Sequence, residues 1–173
     1  MMRTYARNSP ESAARVLVML MMVDARIEDG ELEVLDRVRA FELLGLSRRE
    51  FAAVLQDYCA DLAQEGAATT AVSGRRIRAA TGGRIRLVSR DVVDAVCEPV
   101  QDRGLRLLAS ALALNVLDGD GDLAEAELAV FQRILWRWGY TLDSLEQRLA
   151  RLPNPRQEQP EPVDGPAIVL RAA

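Results

Sequence analysis

Histidine and lysine are both missing from the 173 residues, so every one of the 22 basic positions is an arginine. Without histidine there can be no Ser-His-Asp triad, no Cys-His nucleophile pair, no HExxH zinc site and no phosphohistidine relay. Without lysine, Schiff-base chemistry and a Walker-type phosphate cradle are excluded as well. The arginine bias itself reads as genomic base composition. Cysteine is scarce: Cys59 and Cys97 have no metal-ligand spacing, and both are expected to be buried small hydrophobes in a reducing compartment. Aromatics are 5% of the chain, which leaves Leu, Val, Ala and Met to build the core. No long apolar run is present either. "VLVMLMMV" falls well short of the roughly 20 residues of a membrane span, and "MMRTYARNSPES" carries no signal-peptide core, so a cytoplasmic protein is expected. A net charge of −4 disfavours nucleic acid as a partner.

What the chain does have is helix. With 49% hydrophobic and 28% charged residues it should fold as one domain with a substantial core. Ser9-Pro10 is a helix start, a capping serine followed by a proline whose missing N–H costs nothing there. From Ala13 to Val23 the sequence is apolar almost all round the helix, which predicts a central buried element. Leu32, Leu35, Val38, Phe41 and Leu44 trace a second helical face, closed by Gly45. "SRRE" at 47–50 is a capping box opening a third helix that should end near Gly66. Residues 67–88, with "RIRA" and "RIRL" around "ATGG", read as a short basic hairpin or a loop. Ser89, Asp102 and Thr141 then cap further helices. Leu128, Phe131, Leu135 and Trp138 face inward on the one that Gly139 closes. Trp136 and Trp138 are two apart on that helix and cannot share a face, so one is core and the other exposed.

The strongest pattern is an internal repeat. A shift of 91 residues lays "RVLVMLMMVDARIEDGELEVLD" (15–36) over "RLLASALALNVLDGDGDLAEAE" (106–127) without a gap. Asp24 meets Asn115, Asp29 meets Asp120, Gly30 meets Gly121, Leu32 meets Leu123 and Asp36 meets Glu127. Each copy is a buried helix, a D-G-x-L turn and a second helix. An acid stands seven residues after the turn aspartate, about two helical turns on, so the two carboxylates can converge. Oxygen-only ligation of this kind suits Ca2+ or Mg2+. No organic cofactor is indicated. In EF-hand register, Asp118, Asp120 and Glu127 take the third, fifth and twelfth positions around Gly121, but Val116 occupies the first, where an acid normally anchors the ion. An EF-hand-like calcium sensor at 118–127 is therefore the alternative. Helix capping competes with any cation reading, since aspartates at a helix start are stabilised by about 0.5–2 kcal/mol with no ion present.

The paired segments "EDGELEVLDRVRAFELLGLS" and "LDGDGDLAEAELAVFQRILWRWG", each after an apolar helix, resemble the tellurite-resistance TerB family over roughly residues 12–150. The family motif is an Ala- or Leu-rich helix, D-G-x-[I/L]-x-x-x-E, a helix, then L-G. The resemblance implies an all-α, internally duplicated bundle of about six to seven helices over 1–152. Its halves would lie at about 9–66 and 89–152, with the basic hairpin or loop between them. It also implies acidic residues gathered where the halves meet: Asp24, Asp29 and Asp36 from one, Asn115, Asp120 and Glu127 from the other. Asn115 is neutral and Asp36 is shorter than the family's glutamate. A stress-response accessory module acting with a protein partner, in assemblies at the inner membrane face, is what such a likeness implies.

Residues 153–173, rich in Pro, Gln and Glu, read as a disordered tail. Arg75, Arg76, Arg78, Arg84, Arg86 and Arg90 concentrate positive charge and are the candidate contacts for an anionic partner surface, or a solvated loop. No aromatics are interleaved to stack on bases. Acid-base chemistry could reside only in carboxylates such as Asp24 or Glu127. With no nucleophile or cofactor fingerprint beside them, a non-enzyme is expected.

Overall fold

The computed structural model describes residues 3–23, 29–72, 89–119 and 125–151, with side chains except at 29–31, 65–72 and 119. The described residues form eight helices and no strand: α1 (Pro10–Met21), α2 (Asp29–Arg37), α3 (Ala40–Leu44), α4 (Arg48–Val72), α5 (Arg90–Cys97), α6 (Arg103–Gly119), α7 (Glu125–Trp138) and α8 (Leu142–Leu149). The all-α class is as the sequence reads. The 73–88 segment, expected as hairpin or loop, and the tail from 152 onward lie outside the described residues.

Helix α1 is the axis of the molecule. It packs against α3, α4, α5, α6 and α7, and every residue from Ser12 to Met21 is buried. Its all-round apolarity follows from that position, because no face is left for water. Around it Leu35, Phe51, Val54, Tyr58, Val96, Ala109, Ala113, Phe131, Ile134, Leu135 and Leu145 close one continuous core. Val, Leu, Ala and Met dominate it, in keeping with the low aromatic content.

The expected caps form. Ser9 Oγ accepts from the Ser12 N–H with Pro10 as the first helical residue, and Ser89 and Thr141 do the same for α5 and α8. Asp102 Oδ1 accepts the Leu105 N–H at 2.8 Å. Ser47 and Glu50 make the reciprocal pair at the start of α4: Ser47 N–H donates to Glu50 Oε2 at 2.7 Å, and Glu50 N–H donates to Ser47 Oγ at 3.2 Å. Those bonds favour the Glu50 carboxylate and hold its pKa below the usual range. Gly45 and Gly139 sit at φ +76° and +75° and close α3 and α7 with the same two bonds. The glycine N–H reaches back to Glu42 or Trp136, and the next N–H reaches Phe41 or Leu135 at 2.8 Å.

Two departures from the sequence reading matter. The stretch expected as one helix from Leu32 to Leu44 is two, giving eight helices where six or seven are expected. Arg39 adopts left-handed φ 56°, ψ 37° and turns the chain between α2 and α3. A non-glycine residue there costs roughly 1–2 kcal/mol. Packing offsets it: Ala40 and Leu44 become buried and Phe41 meets Phe51 edge-on at 5.1 Å. In addition, α4 does not stop at Gly66 but continues to Val72.

Candidate functional site

The acidic turns follow α1 and α6. The structure brings α1 and α6, the helices that precede the two turns, into contact and lays α2 on α6. Asp24 and Asp120 lie outside the described residues, and Asp29 is the first residue of α2 with its side chain outside them. Asp36, on α2, is half-buried and already engaged. Arg48 Nε donates to its Oδ1 at 2.9 Å, a second guanidinium nitrogen pairs with Oδ2, and Arg48 rests on the Phe41 ring at 5.8 Å. Asn115 is exposed on α6 and donates its Nδ2–H to the Ala111 carbonyl at 2.8 Å, a bond within its own helix. Asp118 is exposed one residue before the end of α6. Glu127 is half-buried in the first turn of α7 and is not free of partners. Among the described residues no three acidic or cysteine side chains gather as an ion-binding group. Arg75, Arg76, Arg78, Arg84 and Arg86 lie outside the described residues, and Arg90 is the exposed first residue of α5.

The cysteines part company. Cys97 is buried, and burial, aided by nearby Asp94, pushes its thiol up to about 12, so it stays protonated and unreactive at neutral pH. Cys59 is exposed on α4, contrary to the expectation of two buried thiols; it falls on the outer face, beside Tyr58, which points to the core. Cys97 also lines an open, polar hollow of about 420 Å³ with Glu98, Gln101, Arg106, Arg137 and Trp138. Arg106 is committed there to the Val100 carbonyl at 2.7 Å, holding the α5–α6 turn. Of the two tryptophans, Trp138 is core at 6% exposure and Trp136 stands out at 66%, with Arg133 stacked on it at 4.4 Å. Arg133 donates in turn to Asp94 at 2.6 Å and ties α7 to α5.

Sequence reasoning missed the most unusual polar feature. Arg15 lies in the middle of the apolar α1 and is 3% exposed. It forms an ion pair with Asp61 of α4, itself 3% exposed, while its guanidinium lies between the rings of Tyr5 and Tyr58 at 5.5 and 5.3 Å. The N-terminal residues form a strap across this pair. Arg3 N–H donates to Asp61 Oδ2 at 2.8 Å, the Arg3 guanidinium pairs with Asp57, and Tyr5 Oη–H donates to Asp57 at 2.8 Å. Asn8, at φ 57°, pins the far end of the strap. Its N–H donates to the Pro99 carbonyl at 2.9 Å, and its Oδ1 accepts from the Gln101 and Asp102 N–H groups at 2.6 and 2.7 Å. The signal was present: one arginine inside a run with no other charge requires a carboxylate partner. Asp57 and Asp61, one turn apart around core Tyr58, were the available pair. Comparison with known proteins gave no match among family models, curated sequences or solved structures.

Proposed function

We propose that this chain is a non-catalytic, TerB-like interaction module whose D-G-x-L turns take a divalent cation. The observation that carries this reading is the in-register pair of D-G-x-L-x-x-x-[D/E] segments, each between a helix that packs on the core and a following helix. The contacts of α6 with α1 and α2 support it, since they join the helix before the second turn to both helices that flank the first. A hard cation with oxygen ligands is the chemistry those residue types favour. The EF-hand-like reading at 118–127 has less support. Helix α6 runs to Gly119 and Val116 is buried, so the first four positions of that loop are helical and the first is apolar. Non-catalytic action is supported by the absence of histidine and lysine and by the buried Cys97 thiol, which is held protonated; the exposed Cys59 has no histidine to activate it. A partner, proposed as a protein at the inner membrane face, would meet the module through exposed side chains such as Trp136 and through the Arg75–Arg90 segment. Calorimetric titration with CaCl2 and MgCl2 tests the cation reading. Saturable binding lost in the Asp120→Ala, Glu127→Ala double variant supports it, and an unchanged heat signal in that variant overturns it. Pull-down with and without residues 75–90 tests the partner surface.

A further inference from the structure

The polar hollow at the C-terminal ends of α5 and α7 carries more positive charge than the fold uses. Arg106 of α6 and Arg137 of α7 stand on its wall with Cys97, Glu98, Gln101 and Trp138, around about 420 Å³ of space, a volume typical of small-molecule pockets. It is separate from the acidic turns, the second of which enters α7 at the opposite end. Arg106 spends only its Nε, on the Val100 carbonyl at 2.7 Å, and that bond anchors the guanidinium. Its two terminal nitrogens have no partner among the described residues. Nε and Nη1 of the buried Arg15 also lack partners but are sealed from solvent, whereas the terminal nitrogens of Arg106 are open to it. Arg137 has only a 3.7 Å approach of its Nε to Asp94, a carboxylate that Arg133 holds more closely at 2.6 Å.

The surroundings of the two arginines suit an anion. Burial, aided by Asp94, raises the Cys97 thiol, and Arg137 and Arg106 are both close enough to oppose that rise, so the two guanidinium groups converge on one wall. Carbonyls at the end of α5, the negative end of its dipole, are already engaged. That of Cys97 accepts the Val100 N–H at 3.2 Å and the Trp138 indole N–H at 3.5 Å, and those of Pro99 and Val100 accept from Asn8 and Arg106. Glu98 is the only acid on the wall; it is exposed and, among the described residues, pairs with neither arginine. Two positive charges against one negative leave a net attraction for an anion. Two guanidinium forks can each take two oxygens, which is more than one carboxylate carries. A phosphomonoester offers three acceptor oxygens and a charge of about −1.5 to −2 at pH 7.

We propose that this hollow binds a phosphate group, as free phosphate or as a small phosphomonoester, between the terminal nitrogens of Arg106 and Arg137. Arg106 is the fixed fork, set by its bond to Val100, and Arg137 is the freer one that closes on the ligand from α7.

The test titrates the full chain with inorganic phosphate and with glycerol 3-phosphate, at an ionic strength matched with chloride. The readout is the Trp138 indole N–H in 1H–15N spectra, identified as the indole signal that remains in Trp136→Phe. A saturable shift in the millimolar range is expected. Tighter binding of glycerol 3-phosphate identifies a phosphomonoester as the ligand, and equal binding identifies free phosphate. Arg137→Gln should weaken the affinity at least about tenfold, the equivalent of one charge-assisted hydrogen bond. The side chain of Arg137 is 44% exposed and Asp94 keeps Arg133, so the fold should survive this change, as an unchanged circular dichroism spectrum will show. Glu98→Gln should tighten binding about two- to five-fold by removing the opposing charge. Arg49→Gln, an exposed arginine of α4, changes the net charge equally and should have no effect. A shift that does not saturate, an equal affinity in wild type and Arg137→Gln, or acetate binding as tightly as phosphate overturns the proposal.

Discussion

Asp61→Asn is the sharpest perturbation of the fold. The substitution keeps the shape and an acceptor for the Arg3 N–H but removes the charge opposite Arg15, whose side chain is 3% exposed while that of Asp61 is 4% exposed. Stripping one partner from a buried pair leaves the other charge uncompensated, at a cost of about 3–5 kcal/mol. That is a large share of the roughly 5–15 kcal/mol of a whole domain. At about 2–4 °C per kcal/mol for a chain of this size, the melting temperature should fall by roughly 6–20 °C. Arg15→Met should cost a similar amount, since it strands Asp61. The double variant Arg15→Met, Asp61→Leu should recover most of both losses, because two desolvated charges are replaced by apolar groups and the two unpartnered nitrogens disappear with them. Urea unfolding followed by circular dichroism at neutral pH gives all four corners of this cycle. An Asp61→Asn variant within about 1 kcal/mol of wild type, or a cycle with additive losses, would refute the reasoning.

Acid and alkali should each loosen the strap. The Arg3 guanidinium and the Tyr5 hydroxyl hold the Asp57 carboxylate below its usual range, so its contribution is present above the ordinary aspartate pKa and is lost as pH falls through the lower folded value. Wild type and Asp57→Asn should therefore converge in stability at low pH and differ near neutrality. Burial, and then the bond to Asp57, raise the Tyr5 phenol to about 12, so its contribution is complete below the ordinary phenol value of about 10 and disappears as pH rises to the folded one. Tyrosinate absorbance should lose one late-titrating phenol in Tyr5→Phe relative to wild type. Gly45→Ala and Gly139→Ala should each cost roughly 1–2 kcal/mol in urea unfolding, as pure backbone strain, because an added Cβ meets nothing within 4 Å at either position. A maleimide should label Cys59 rapidly in the native protein and reach Cys97 only on unfolding, as mass spectrometry will show. If Asp36 ligates a cation, Arg48→Ala should raise calcium affinity about two- to five-fold by releasing it, the range expected of a surface ion pair.

The sequence by itself determined the helical class, the burial of α1 and the capped helix ends, though not the break at Arg39 or the end of α4. Those are local matters: an apolar run without a polar face, a serine before a proline, the S-R-R-E box, a glycine at the left-handed stop. Each acts within a few residues, so its outcome is written into the chain at that place. It also presented the duplicated acidic pattern, which is the basis of the proposed cation chemistry. Tertiary structure alone decided the rest. Arg39 breaks the second helix because burying Ala40 and Leu44 and bringing Phe41 to Phe51 outweighs a strained backbone, a comparison no local window contains. Trp138 rather than Trp136 is core because α7 turns that side toward α1 and α5. Arg15 could be buried only because Asp61, 46 residues away, arrives at the same point with a strap of chain to close over both. A buried charge depends on groups distant in sequence, and the fold supplies them.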